Sequence, residues 1–390
     1  MRSLPFVLPL LSQCESPSVL PVVWRFVALT VLSGFIVSTT PRTSAAQTIR
    51  VAAAPTIRIG DDDAESALLS DVVGATRLPG GRVLIANRGD QALLLFDDTG
   101  RLLQKSGRKG QGPGEVPFLL AMHRCGSSIY LVDSERVQEF SLEVQYRRLF
   151  RFGGEASYRQ ACNASGQFVH MGWEREREMR TGVFRSNVNF WISEASDARG
   201  IPLGAFPGSE RWGQTGTNGK LVGTRPMLLG REPRIAISER AAYIATGDSL
   251  SLLTFDLKGT RQPPLRAPSA PVPAEAADMD LEIEREVAFL PAGARDREAK
   301  NLRAIPRPRM LPATRALLVD ETGLVWVQSY PRARMPTVIW TVFRPDGSVA
   351  SRVALPTTLD VLEIGRGYLL GTIRDADTDL PEVRLYPVSR

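Results

Sequence analysis

Lysine, histidine and cysteine are scarce in this 390-residue sequence. Only five of its 48 cationic residues are lysines, so the net charge of +6 rests on arginine. The arginines do not cluster beside stacking aromatic residues, which argues against a nucleic-acid binder. Abundant Arg, Ala, Gly and Pro are typical of coding sequence in a high-GC bacterium. The two histidines, His123 and His170, lie within strand patterns, and we expect packed side chains rather than catalytic bases.

The chain also lacks an apolar run long enough to cross a bilayer comfortably, but a shorter one lies near the N-terminus. Arg25 precedes an apolar core at Phe26–Val37, and the small residues Ser44–Ala46 follow. This order predicts a secretory signal peptide over residues 1–46, with residues 1–23 lying before the true start. We expect export to the periplasm or cell surface and no transmembrane span in the mature chain. Sequencing of the exported N-terminus tests this prediction, and a start at Met1 would contradict it.

Removal of that segment would leave two of the three cysteines, Cys125 and Cys162. In an oxidising compartment they could form a disulfide, provided that their Cα atoms lie within about 7 Å of each other. The alternative is a pair of small buried thiols. The sequence leaves both open.

Strand and turn patterns recur in six units along the rest of the chain. Each unit reads strand, polar loop, strand, turn and strand, and an apolar stretch precedes it. Short strands grouped in fours predict an all-β protein whose sheets bury their apolar faces against one another. We predict a six-bladed β-propeller over residues 47–390, with Thr48–Gly60 adding the outer strand of the last blade; an open sandwich is the alternative. The units are Arg82–Ser106, Ser128–Phe152, Gln167–Trp173 with Phe190–Phe206, Ala241–Arg261, Gly323–Leu355 and Gly367–Val388.

A glycine-rich segment, GRKGQGPGEV at Gly107–Val116, follows the first unit. It lacks the Lys-Ser or Lys-Thr of a phosphate-binding P-loop, and Pro117 with an apolar strand follows where a dinucleotide site needs a helix. We interpret the segment as the sharp connection between two blades. From Val83 onward it resembles an NHL repeat, whose G-x-x-G-x-G-P-G-Q-F seam is matched except at Glu115 and Val116. The chain is similar to exported bacterial six-bladed propellers, most of them uncharacterised, and this resemblance implies a fold rather than a ligand.

In a propeller, the loops between blades and those between second and third strands share one face, which we call the loop face. Cations outnumber anions among the residues predicted there, which favours an acidic ligand or partner. The alternative is a solvated arginine-rich rim. The candidate ligand-binding residues are Asn87, Arg88, Asp90, Arg108, Lys109, Asp133, Arg136, Arg332 and Arg334, with Glu135 and Asp248 beside them.

One long insertion, residues 268–311, separates the fourth and fifth units. Met279, Ile283, Val287 and Leu290 recur at helical spacing among acidic residues, which predicts an amphipathic helix. A second short helix is predicted at Arg295–Arg303. The insertion should lie over the loop face, either as a lid or docking element or as a helix that merely packs on the rim.

Near the C-terminus, alternating carboxylates at Asp375, Asp377 and Asp379 resemble a calcium-binding loop. The glycine of the sharp turn is missing, and Leu380–Pro381 interrupts the pattern. A turn between the last two strands is therefore the favoured interpretation.

The favoured function is an exported, non-catalytic binding or scaffold protein that recognises a peptide, glycan or protein through the loop face and needs no cofactor. The alternative is a hydrolase resembling the gluconolactonase-type propellers, which would hold a divalent cation at the channel mouth. Its candidate ligands are Asn87, Asp133 and Asp320, although no spacing selects them. Two histidines fall short of the three-histidine metal site of the propeller lyases that process amidated peptides.

Overall fold

The computed structural model describes residues 49–60, 69–133, 136–151, 156–172, 180–195, 200–288, 290–375 and 380–390. The predicted signal peptide therefore lies outside the described residues. The described residues form 26 strands, two α-helices and one 3-10 turn at Pro79–Gly81. The predicted all-β class is confirmed.

The strands form six antiparallel sheets, numbered here in chain order. The first three sheets come from the first half of the chain. Sheet 1 comprises β3 (Val72–Arg77), β4 (Val83–Asn87), β5 (Ala92–Phe96) and β6 (Leu102–Ser106); sheet 2 comprises β7 (Ala121–Cys125), β8 (Ser128–Val132), β9 (Val137–Ser141) and β10 (Tyr146–Phe150); sheet 3 comprises β11 (Ala156–Cys162), β12 (Gln167–Gly172), β13 (Gly182–Glu194), β14 (Ile201–Thr215) and β15 (Leu221–Pro226).

The remaining sheets follow the same meander. Sheet 4 comprises β16 (Arg234–Ile237), β17 (Ala241–Ala245), β18 (Ser251–Asp256) and β19 (Arg261–Arg266); sheet 5 comprises β20 (Ala316–Val319), β21 (Val325–Gln328), β22 (Thr337–Phe343) and β23 (Val349–Pro356); sheet 6 comprises β24 (Asp360–Gly365), β25 (Tyr368–Arg374) and β26 (Pro381–Ser389). Between sheets 4 and 5 lie helix α1 (Ala276–Val287) and helix α2 (Ala292–Arg303).

Sheet 6 is completed by the N-terminal part of the described chain. Strands β1 (Arg50–Val51) and β2 (Ile57–Ile59) both pair with β26, with Arg50 opposite Ser389 and Ile57 opposite Leu385. This is the pairing that was predicted for Thr48–Gly60. It joins the two ends of the chain in one sheet.

The sheets follow one another in a ring. The first strand of each sheet contacts the first strand of the next, and β24 of sheet 6 contacts β3 of sheet 1. A separate hydrophobic cluster lies between each pair of neighbouring sheets, including sheets 6 and 1. A central channel with a cavity of about 320 Å³ is lined from all six first strands, by Thr76, His123, Gln160, Ile235, Leu318 and Glu363.

Sheet 3 departs from the predicted four strands. Residues 182–189 of β13 extend past the end of β12 and pair with β14, and β15 adds a fifth strand. We call this three-stranded projection the hairpin extension. Its sequence contains several Gly, Asn and Pro residues, which are depleted in strands, and no strand is predicted from the sequence over residues 182–189 or 207–226.

A disulfide joins Cys125 at the end of β7 to Cys162 at the end of β11, with Cα atoms 5.7 Å apart. It therefore links sheets 2 and 3. Among the described residues, the hydrophobic cluster between these two sheets is the smallest of the six around the ring. The covalent link lies where side-chain burial holds neighbouring sheets together least.

Candidate functional site

Asn87, a predicted ligand-binding residue, is completely buried at the end of β4. Its side-chain oxygen accepts hydrogen bonds from the backbone N–H groups of Ser70 (3.2 Å) and Asp71 (3.1 Å), and its amide nitrogen donates to Asp90 (3.3 Å). These bonds fix the chain as it enters sheet 1. The side chain of Asn87 therefore stabilises the fold and is not presented to a ligand.

Most of the predicted loop-face cations have carboxylate partners within the chain. The predicted cations pair as Arg88 with Asp71 (2.6 Å), Arg136 with Asp133 (2.8 Å), Arg108 with Glu115 (2.6 Å), and Arg332 and Arg334 with Glu275. The predicted anions Asp90 and Asp248 pair with Lys105 (3.0 Å) and with Arg231 and Arg185 (2.6 and 3.1 Å). The pair of Asp133 with Arg136 is buried. Lys109 is exposed, and Glu135 lies outside the described residues.

The glycine-rich connection Gly107–Val116 folds back on its own carboxylate. Glu115 accepts a hydrogen bond from the backbone N–H of Gly112 (3.0 Å) and from Arg108 Nε (2.7 Å), while Gly114 N–H donates to Gln138 (2.9 Å). The Gly112 bond and then Arg108 lower the pKa of Glu115. The amides of Gly110, Gly112 and Gly114 are therefore all used by acceptors within the chain, which agrees with the prediction of a structural connection.

The predicted insertion contains both helices and a small core of its own. Met279 and Ile283 of α1 pack with Met227 and Leu229, which precede sheet 4, and Trp212 of the hairpin extension lies against the same cluster. Helix α1 ends at Val287, before the predicted Leu290, and α2 begins at Ala292, before the predicted Arg295.

Helix α1 is anchored at both ends. The backbone N–H of Ala333 donates to Asp278 (3.0 Å), and Arg285 donates to the carbonyl of Thr357 (2.8 Å), which precedes sheet 6. Arg332 pairs with Glu275 at the start of the helix. These contacts hold α1 across the loop face, between sheets 5 and 6.

Two proline-rich arms connect the helices to the sheets. The first arm is residues 268–275 and the second is residues 304–314. Pro273 and Met310 form an isolated β-bridge, Leu311 N–H donates to the carbonyl of Val272 (2.8 Å), and Ala313 N–H donates to the carbonyl of Gly247 (3.0 Å). The arms therefore pair with each other and with the β17–β18 loop.

A cleft of about 710 Å³ lies between these arms, the hairpin extension and the loops of sheets 4 and 5. We call it the arm cleft. Arg231 in its wall is held by Glu210 (2.6 Å) and Asp248 (2.6 Å). Burial alone would raise the pKa of Glu210, but the hydrogen bonds from Arg231 outweigh it and lower that pKa. Arg307 and Arg309 also line the cleft; they are exposed and make no ion pair with any described residue.

A charged cluster lies at the loop-face end of the central channel, where the first strands of sheets 3 to 6 begin. Glu232 pairs with Arg159 (3.4 Å) and Arg234 (2.9 Å). Although burial opposes it, the charges of Arg234 and then Arg159 lower the pKa of Glu232. Arg315 pairs with Glu282 of α1 (3.2 Å). We call these five residues, with Asp360, the mouth cluster.

Burial raises the pKa of Asp360 although Arg285 and Arg315 lie nearby. Asp360 is the first residue of β24 and remains exposed. Tyr330 donates to Glu282 (3.3 Å) and lies beneath the guanidinium of Arg315 (5.5 Å). The helix thus covers a compact set of alternating charges.

Between α1, α2 and the mouth cluster lies a second cavity, of about 320 Å³, which we call the helix cavity. Leu228, Leu229, Leu302 and Ile305 form its apolar wall. Its polar lining includes Glu232, Arg234, Glu282, Glu286, Thr314 and Arg315, with the exposed pair of Arg225 and Glu298 (3.3 Å).

Sequence reasoning missed the mouth cluster and the helix cavity. The available pattern was a charged residue at or just before the start of three first strands, at Arg234, Arg315 and Asp360, and a fourth within β11, at Arg159. Charges at such positions meet at the channel mouth of a propeller. The prediction instead selected charges from the outer loops, which are easier to recognise as loops.

Both histidines are packed in the described structure. Burial lowers the pKa of His123 in the channel and of His170 to about 4 in each case. His170 Nε2 lies 3.2 Å from Ser193 Oγ and its ring faces Trp191.

The candidate metal ligands do not meet. Asn87 and Asp133 follow second strands, on the loop face, whereas Asp320 lies in the turn after β20, at the opposite face. Asp320 accepts hydrogen bonds from Thr322, Leu324 and Trp326 and pairs with Arg390. No group of three His, Cys, Asp or Glu side chains is arranged for a metal ion among the residues described. Of the calcium-loop candidates, Asp375 follows β25, and Asp377 and Asp379 lie outside the described residues.

Neither α1 nor α2 has the length and apolar character of a membrane-crossing helix, and the described residues hold no other α-helix.

Comparisons with known proteins give an architecture but no family. No protein-family model matches the sequence, and no curated protein matches it. A member of the DUF4221 family from Bacteroides vulgatus has a TM-score of 0.50 at 9% identity, over 88% of this chain and 99% of its own. A candidate exported protein of Bacteroides fragilis has a TM-score of 0.46 at 11% identity, and the match covers 89% of this chain and 97% of its own. Regucalcin, a calcium-binding protein from Agrobacterium tumefaciens, has a TM-score of 0.40 at 12% identity, and the match covers 85% of this chain and 93% of its own. At these identities likeness is evidence of fold alone.

Proposed function

We propose that the chain is an exported six-bladed β-propeller in which each of the six sheets is one blade and Gly107–Val116 is an NHL-like seam. The ring of contacts between first strands, with β24 against β3, supports the closed arrangement. The signal-like pattern in residues 1–46 and the disulfide between Cys125 and Cys162 support export to the periplasm or cell surface.

The proposed activity is non-catalytic binding, without a cofactor, of an acidic peptide, glycan or protein segment in the arm cleft. The observation that carries it is the cleft itself: about 710 Å³ on the loop face, with Arg307 and Arg309 on one arm, which make no ion pair with any described residue. The prolines at 271, 306, 308 and 312 restrict both arms, which lowers the entropy lost on binding.

The other cations of the loop face are poorer candidates. Arg88, Arg136 and Arg332 each have a carboxylate partner within the chain, so an acidic ligand would have to displace it. Arg307 and Arg309 need no such exchange. An anion in the cleft would gain charge-assisted hydrogen bonds at little cost to the fold.

The test is the affinity of the full chain for two anionic probes, a decapeptide of alternating Glu and Gly and an oligogalacturonate. Each is compared at low salt with a neutral counterpart, the Gln–Gly decapeptide or an uncharged dextran of equal length. We expect the double variant Arg307→Ser/Arg309→Ser to bind an anionic probe at least about tenfold more weakly, since each cation contributes a charge-assisted contact.

The matched control is Arg101→Ser/Arg261→Ser, which removes two exposed arginines from the opposite face with the same change in net charge. It should leave probe affinity unchanged. Equal losses in both double variants would mean that net charge, and not the arm cleft, attracts the probes. No difference between anionic and neutral probes would refute the proposed ligand class.

A further inference from the structure

We propose that the helix cavity is a second, separate binding site, and that it takes a small organic cation: a primary ammonium group carried on an apolar body. This site does not depend on the proposed function of the arm cleft.

Three of the four glutamates that line the cavity are neutralised within the chain. Glu232 pairs with Arg159 and Arg234, Glu282 pairs with Arg315, and Glu298 pairs with Arg225. Glu286 has no arginine or lysine partner among the residues described. Glu286 lies one turn after Glu282 on α1, is exposed, and lines the cavity, so its carboxylate is open to a cationic ligand.

A second, independent feature points into the same space. Thr314 lines the cavity, is 2% exposed, and its buried hydroxyl has no hydrogen-bond partner in the described structure. A buried hydroxyl without a partner costs free energy that a ligand could recover. An ammonium group has three donors, so it can serve a carboxylate and a hydroxyl oxygen together.

The apolar wall of the helix cavity determines what kind of group can accompany the ammonium. Leu228, Leu229, Leu302 and Ile305 offer an apolar surface beside the polar groups. The cavity volume of about 320 Å³ is at the small end for ligand sites. An amine with a short alkyl body matches both the charge and the surface, whereas an anion would meet Glu286.

The rim gives the site an opening. Arg225 and Glu298 stand at the edge of the cavity with 41% and 36% of their side chains exposed. Their ion pair joins β15 of the hairpin extension to α2, so a ligand could enter beside it without moving α1.

The experiment is calorimetric titration of the full chain with n-hexylamine hydrochloride, n-hexanol and sodium hexanoate, which share one alkyl length and differ in charge. We expect hexylamine to bind with one site per chain, hexanol at least about tenfold more weakly, and hexanoate not at all, because only the ammonium compensates Glu286. Equal affinity for hexylamine and hexanol would reduce the site to an apolar cavity and overturn the proposal.

Variants locate the site. Glu286→Gln should weaken hexylamine binding at least about tenfold and Thr314→Val about threefold, because each removes one acceptor of the ammonium. Glu284→Gln, an exposed glutamate two residues earlier on the same helix, should have no effect. Equal affinities in Glu286→Gln and Glu284→Gln would overturn the assignment.

Leu302→Phe provides a second test that leaves every polar group in place. By filling the cavity it should abolish hexylamine binding, and undiminished binding would place the amine elsewhere. Glu286→Gln and Leu302→Phe should not change binding of the Glu–Gly decapeptide, while Arg307→Ser/Arg309→Ser should not change binding of hexylamine. Failure of one proposal is thereby separable from failure of the other.

Discussion

The two faces of the ring are built by different rules. At the opposite face, four turns repeat one device: Asp97, Asn163, Asp256 and Asp320 each accept backbone N–H bonds with the side chain, and a glycine follows three residues later. Those glycines, at 100, 166, 259 and 323, all have φ between +82° and +91°. Such turns satisfy their own polar groups.

The loop face has no such repeat. Its connections include the glycine-rich seam, the hairpin extension and the helical insertion with its two arms, and both the arm cleft and the helix cavity lie there. The loop face carries the longer and more varied connections, whereas the opposite face consists of regular turns that border a cleft of about 680 Å³. Changes at the opposite face should therefore alter stability, and changes at the loop face should alter binding.

The largest expected effect is loss of the disulfide. Replacing Cys125 and Cys162 by Ser releases a link that spans 37 residues and should lower the free energy of unfolding by roughly 4 kcal/mol. Urea denaturation of the variant and the parent measures this. Binding of the anionic probes should be unchanged in the folded variant, and a parallel loss of binding would break the separation of the two faces.

Asp320→Ala should have the next largest effect, about 3 kcal/mol, because it leaves Trp326, two backbone N–H groups and Arg390 without their acceptor in a buried site. Asp97→Ala removes the same kind of side chain from an exposed turn and should cost clearly less. Thermal and urea denaturation of both variants compare them. Equal costs would show that burial does not distinguish these turns.

Substitution of Gly100 and of Gly323 by alanine distinguishes the cost of backbone strain from the cost of a steric clash at the new Cβ atom. Both glycines have positive φ, but a Cβ at Gly100 would lie 2.8 Å from the carbonyl oxygen of Arg58, whereas a Cβ at Gly323 meets nothing within 4 Å. Gly323→Ala should cost about 1 kcal/mol and Gly100→Ala about 2 kcal/mol, measured by urea denaturation. The reverse order would contradict the packing of β2 against this turn.

The smallest expected effect is a pH dependence from Glu363 in the channel. Burial raises its pKa above the ordinary 4.5 although Thr76 and Tyr368 donate to it. The folded state therefore binds the proton more tightly than the unfolded state, and the parent loses stability relative to Glu363→Gln as the pH rises above about 4.5. Unfolding of both proteins at pH 4 and pH 8 tests the sign; a pH-independent difference would contradict it.

The fold was more predictable than the site for a physical reason. Strands such as β4 and β5 are buried along their whole length, so their apolar runs are evident in the sequence, and the closing pair β1–β26 follows from the ring. The hairpin extension was missed because its alternate residues are exposed and polar. The mouth cluster brings Arg315 together with Glu282 of α1 and Asp360 of β24. These residues are far apart in the sequence, so their proximity follows only from the arrangement of the sheets around the channel.

The loop-face arginines illustrate the converse error. Arg88, Arg136 and Arg332 carry the charge expected of ligand-binding residues, but carboxylates from the same face already pair with them. Sequence context gave no sign of this for Arg88 or Arg332, since Asp71 lies 17 residues before Arg88 and Glu275 lies 57 before Arg332, whereas Asp133 lies only three residues before Arg136. Arg307 and Arg309 of the second arm, in contrast, line the arm cleft and make no ion pair with any described residue.

Hydrogen–deuterium exchange of the full chain, with and without the Glu–Gly decapeptide, tests the central claim most directly. The account predicts slower exchange in the two arms, residues 268–275 and 304–314, and unchanged exchange in the turns at 97–101, 256–260 and 320–324. Protection of those turns, with the arms unchanged, would contradict it.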